Sequence, residues 1–117
     1  MRAELKRLHS PDVDDLRTFV PPDPRLFQVF VQAMIGPDGD DAAESFDLVV
    51  CSPEWIRQQA ENGPFVGAHH IVVTKLDYNA LVATIREFCR RCEGATWQQV
   101  AAKLSLLGRW EFDDYRE

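Results

Sequence analysis

Cys89 and Cys92, with His69 and His70, are the side chains of this sequence whose types and spacing come nearest to chemistry. Together they supply a donor set of the kind that holds zinc. Their positions argue against it. Cys89 and Cys92 fall on the apolar stripe of a predicted helix, where a free cysteine acts as a small buried hydrophobe. His69 and His70 are neighbours in a predicted strand, so they point to opposite faces and are poorly placed to share one ion. A redox role for the Cys-x-x-Cys pair needs a thiolate at a helix N-terminus. Here the pair sits at the C-terminal end, where the helix dipole has the wrong sign, although Arg90 and Arg91 offset part of it.

Other reactive constellations are thinner. Gly36 to Gly39 has neither the lysine nor the helix start of a phosphate-binding loop. His9-Ser10 is a close His/Ser pair without an elbow motif around it. Asp38, Asp40, Asp41 and Glu44 lack the spacing of a calcium loop. The sequence therefore predicts no catalytic residue, no metal ligand and no cofactor, and a Cys/His metal-binding protein stands as an alternative reading.

The elements that carry these residues follow from periodicity. Residues 3 to 8 place Ala3, Leu5 and Leu8 between charges, which predicts a short edge strand. Pro11, Pro21, Pro22 and Pro24, with Asp12, Asp14, Asp15 and Asp23, predict a loop. Leu26 to Ile35 is the strongest strand. Phe27, Val29, Val31, Ala33 and Ile35 share one face, while Leu26, Phe30 and Met34 alternate with Gln28 and Gln32 on the other. Such a strand is central and covered on at least one side. Gly36 to Asp41 turns the chain, and Ser45 to Cys51 returns with Phe46, Leu48 and Val50 inward, predicting an antiparallel hairpin.

Ser52 caps a helix that begins at Pro53 and ends at Asn62-Gly63-Pro64. His69 to Thr74 reads as another strand. Asp77 caps a second helix whose stripe runs Tyr78, Leu81, Val82, Ile85, Phe88, Cys89 and Cys92. Thr96-Trp97-Gln98-Gln99 is a capping box opening a third, which stops at Gly108. Trp110-Glu111-Phe112 reads as either a last short strand or an ordered tail. The prediction is one α+β domain over residues 1–117: an antiparallel sheet of about four strands, ordered β-β-β-α-β-α-α, with helices packed mainly on one face.

A chain of 117 residues, 45% hydrophobic and 27% charged, is long enough to bury one core. It holds 19 acidic and 13 basic residues, a formal charge of -6. That balance argues against nucleic acid, which asks for a basic face. No run is apolar enough to cross a membrane. The opening Met1-Arg2-Ala3-Glu4-Leu5-Lys6 has no apolar core of a secretory signal, and three cysteines fit a reducing compartment, so a cytoplasmic protein is expected.

The acids are gathered in three groups: Asp12, Asp14 and Asp15; Asp38, Asp40, Asp41 and Glu44; and Glu111, Asp113, Asp114 and Glu117. Loops and tails are commonly polar, which explains any one group. Taken together, they suit a surface that steers a basic partner, with Trp55, Trp110 and Tyr115 as aromatic anchors. Arg86, Arg90 and Arg91 form a basic patch. Self-association through a sheet edge, as in a small structural or assembly protein, is the rival reading, and oligomeric state stays open.

Several segments carry a resemblance. Met34-Ile35-Gly36-Pro37, then Glu44-Ser45-Phe46-Asp47 and Val50-Cys51-Ser52-Pro53-Glu54-Trp55, resemble the immunity protein 8 family of bacterial polymorphic toxin systems. So do Leu8-His9-Ser10-Pro11-Asp12, Cys89 with Cys92, Trp97, Val100-Ala101-Ala102-Lys103-Leu104 and Gly108-Arg109-Trp110-Glu111-Phe112. The resemblance spans nearly the whole chain. It implies a cytoplasmic antidote, made beside a secreted toxin, whose partner is that toxin domain, and it offers no catalytic residue to carry over. The candidate contact residues are therefore chosen on charge and exposure: Asp12, Asp14, Asp15, Asp38, Asp40, Asp41, Glu44, Trp110, Glu111, Asp113, Asp114 and Tyr115.

Overall fold

Why Leu5 and Leu8, three residues apart, both reach the core from one strand is settled by a bulge. In the computed structural model, which describes residues 1–113, the first strand (β1, Ala3–His9) pairs antiparallel with β2 (Gln28–Pro37). Its register slips between Leu5 and Arg7, opposite Ile35 and Met34. The extra residue resets the two-residue alternation, so Leu8 turns inward and Arg7 stays outside. β2 lies centrally and continues into β3 (Glu44–Cys51), with pairing from Gln28–Cys51 to Ile35–Glu44.

The sheet departs from the predicted antiparallel arrangement. After β3 the chain forms α1 (Pro53–Glu61) and returns as β4 (His70–Val72), which pairs parallel with Val49 to Cys51. A crossover through a helix brings a strand back in its original direction, whereas a tight turn would reverse it. The strand expected over 69–74 shrinks to three residues. It begins just after His69, whose φ of 59° lies in the left-handed region. The last strand, β5 (Arg109–Trp110), pairs antiparallel with Phe46 and Asp47, beside the opposite end of the β3 edge that β4 uses. The described residues thus form a mixed five-stranded sheet with three helices.

Helices α2 (Tyr78–Arg90) and α3 (Trp97–Leu104) cover one face of the sheet. They insert Leu81, Ile85, Cys89, Val100, Ala101 and Leu104 among Val29, Val31, Ala33, Ile35, Phe46, Leu48 and Val50. Each helix starts on the cap its sequence predicts. Ser52, Asp77 and Thr96 accept from the amides of Trp55 (3.4 Å), Ala80 (3.1 Å) and Gln99 (3.2 Å). The Gln99 side chain reaches back to the Ala95 amide, at 2.8 Å.

α1 stands apart, burying no residue. Its Trp55 stacks on His70, ring centroids 5.8 Å apart, and Phe65 meets both rings edge-on. His70 is in register with Val49, which points away from the core, so this aromatic group sits on the face opposite α2 and α3. The free border of β1 is partly closed. The Ala3 amide donates to the Cys92 carbonyl (3.2 Å) and the Gly94 amide to the Met1 carbonyl (3.0 Å), with the bulge just beyond.

Candidate partner-binding surfaces

The acidic groups occupy the two ends of the sheet. Asp12, Asp14 and Asp15 lie in the loop that follows β1. There the Ser10 hydroxyl accepts from the Asp12 amide (3.1 Å), and Asp15 accepts from the amide and guanidinium of Arg17 (2.9 and 3.2 Å). The Arg17 side chain, then its amide, holds the Asp15 carboxyl below its usual range.

Asp38, Asp40 and Asp41 sit on the β2–β3 turn at the far end, all exposed. Asp40 accepts from the Ala42 amide (2.9 Å), and the Asp38 amide donates to the Arg2 carbonyl (2.8 Å). About six strand residues, roughly 20 Å, separate this turn from Gln32, the partner of His9. β5 brings Glu111 and Asp113 of the third group to the same end as the second. The Glu111 amide donates to the Ser45 carbonyl (3.0 Å), and its carboxylate accepts from the Ser45 amide (2.7 Å). Asp113 follows, exposed. Asp114, Tyr115 and Glu117 lie outside the described residues.

Glu44 and Trp110 are turned inward. Glu44 is paired with Ile35, half-buried, and accepts from the Trp97 indole at the start of α3. Trp110 stacks on Phe46 (6.4 Å, planes 9° apart) against the core, and Phe112 packs edge-on to it. Its indole N–H is buried and finds no hydrogen-bond partner among the described residues.

The cysteines and histidines are dispersed or enclosed. Cys51, Cys89 and Cys92 are buried thiols. Burial, then the neighbouring Cys92, pushes Cys89 up to about 12, and burial raises Cys51 and Cys92 as well. These thiols stay protonated at neutral pH, the wrong form for a nucleophile. His69 reaches the Ser105 carbonyl at the end of α3 (2.8 Å), while His70 turns the other way and donates to the Ala68 carbonyl (2.6 Å). Among the described residues, no three of His, Cys, Asp or Glu converge to hold a metal, and no helix is long and apolar enough to cross a membrane.

A further surface lies on the side of the sheet away from α2 and α3. Phe30, Gln32 and Met34 of β2 and Ser45, Asp47 and Val49 of β3 point away from the core and are all only half-buried. Across them runs a polar row: His9 Nε2 donates to Gln32 Oε1 (3.0 Å), and Gln32 Nε2 donates to Asp47 Oδ1 (3.2 Å). The alternation of Gln28 and Gln32 with Phe30 and Met34 was its trace in the sequence.

An α+β protein with one sheet face left open by α2 and α3 and an acidic end is the class these features define. The chain belongs to the immunity protein 8 family, whose family model it matches over residues 3–115. Immunity proteins in general are not enzymes, and their partners are toxin proteins. No curated protein and no solved structure matches the chain.

Proposed function

We propose that this chain neutralises a toxin encoded beside it, in the cytoplasm of the producing cell, by laying an acidic surface over a basic toxin site. The family supports a toxin partner. The observation that carries the electrostatic part is that β5 brings Glu111 and Asp113 to the end of the sheet where Asp38, Asp40 and Asp41 already lie. Two groups separate in sequence then act as one field, while Asp12, Asp14 and Asp15 work from the other end. Opposed fields accelerate encounter and reject wrong partners. Persistence comes from apolar contact, and nanomolar inhibition asks for about 12 kcal/mol in all.

Association rates with the toxin domain encoded next to this chain, measured by stopped flow, test the reading. Replacing Asp38, Asp40, Asp41, Glu111 and Asp113 by lysine is expected to slow association about tenfold or more, with a smaller change in dissociation. Raising salt from roughly 0.05 to 0.5 M should slow the natural chain in the same way. An association rate indifferent to both salt and charge reversal would sink the acidic-surface mechanism.

A further inference from the structure

An exposed sheet face in a two-layer fold ordinarily carries polar side chains, since only the helix-covered side needs apolar ones. The middle of this sheet breaks that rule. Phe30 and Met34 on β2 and Val49 on β3 are large apolar groups on the uncovered side, yet α2 and α3 pack entirely on the other. Val49 stands beside Phe30 in register, and His70 beside Val49, so the apolar strip runs across the sheet to Trp55. Met34 stands apart from this strip across the row of His9, Gln32 and Asp47, and apolar side chains rimmed by polar ones in this way are a mark of a docking site.

The border of the strip indicates what it faces. Asp47 lies on the face, its carboxylate held by Gln32, and Glu111 is fixed against Ser45 two residues along β3. The turn aspartates close the same end. Of the cations on this side, Lys6 and Arg7 lie on the outer strand, where Lys6 is taken up by Glu4, and Arg109 stands exposed in register with Asp47, so the acidity of this end rests on Glu111, Asp113 and the turn aspartates. An apolar centre with an acidic end fits a protein surface that offers apolar side chains flanked by lysine or arginine. The row from His9 through Gln32 to Asp47 is already ordered, so its side chains have little freedom left to lose on docking.

We infer that the uncovered sheet face, centred on Phe30, Met34 and Val49 with Trp55 at one side and Asp47 and Glu111 at the other, is the surface on which a basic toxin domain docks. The inference rests on the immunity reading and deepens it. The loop acids guide the encounter, and this face makes the lasting contact.

The test measures affinity for the toxin domain encoded next to this chain, by calorimetry, with three proteins: the natural chain, a Met34→Lys/Val49→Lys variant, and a Thr84→Ala variant on the exposed side of α2. The double variant is expected to lose about 100-fold or more in affinity, mainly through faster dissociation. Thr84→Ala should stay within about threefold. Circular dichroism and thermal melts check the folds. Should the double variant fold poorly, methyl NMR of the natural chain serves instead: the Met34 and Val49 methyl signals should shift on adding the toxin domain.

A folded double variant that binds as tightly as the natural chain, or unmoved methyl signals in the saturated complex, overturns the inference and leaves the immunity reading standing. A natural chain that dimerises through this face, becoming monomeric in the double variant by light scattering, overturns it in favour of a second copy. If the natural chain does not bind the toxin domain at all, the immunity reading falls, and this inference with it.

Discussion

Ser52 shows how much one small side chain can organise. It is 1% exposed. Its hydroxyl accepts from the buried Phe27 amide (3.1 Å) and from the Trp55 amide (3.4 Å), joining the entry to β2 to the start of α1. Ser52→Ala removes the cap and strands the Phe27 donor, so it should cost about 2–3 kcal/mol in urea unfolding. A loss below about 0.5 kcal/mol would show that water replaces the hydroxyl. The capping role was legible from Ser52-Pro53, because a cap is local. The link to Phe27 was not, since it spans 25 residues. Glu44 teaches the same lesson at a candidate site. Its neighbours in sequence are turn acids, but its place in the β3 alternation turns it inward to the Trp97 indole, 53 residues away. Charge and turn context marked Glu44 and Trp110 as surface residues, and the pairing of β3 with β2 and β5 decides where they point.

Strands and helices with strong periods were readable from the sequence at nearly full length. β2, β3, α2 and α3 each bury the faces their spacing predicts. The short pieces were not readable in direction. A three-residue strand has no alternation to measure, and β4 owes its parallel course to the α1 crossover and to His69 entering at positive φ. The β2–β3 turn illustrates a tighter constraint. A Cβ added to Gly36 would meet the Ala42 carbonyl oxygen at 1.7 Å, so the turn closes over bare backbone. Gly36→Ala must push that backbone away and should cost about 3 kcal/mol. Gly67, in the loop before β4, has open space around its missing Cβ, and Gly67→Ala should stay within about 0.5 kcal/mol of the natural chain. Comparing the two midpoints in urea separates steric closure from a general cost of replacing glycine, which would make them equal.

On the scale of the whole molecule, surface charge and buried thiols set the range of pH the fold tolerates. Lys6, Arg17 and Arg2 hold Glu4, Asp15 and Glu93 below their usual carboxyl range. A depressed carboxyl adds stability above its unfolded pKa near ~4, and that contribution disappears as pH falls through the lower folded value. Cys89 works in the opposite sense. Its pKa is raised from 9.0 to about 12, so its contribution is complete below the unfolded value and is lost as pH climbs towards the folded one. Melting temperature should therefore be level over roughly pH 5 to 8 and decline on both sides. A maximum in strong acid would contradict these ion pairs. The border of β1, bulged at Lys6 and bonded near its start to residues 92–94, has a separate consequence. A neighbouring molecule finds few free amides there to continue the ladder, so the protein is guarded against joining its own kind into fibres. Chains made in quantity can then stay apart along that side of the sheet, with no aggregate growing from it.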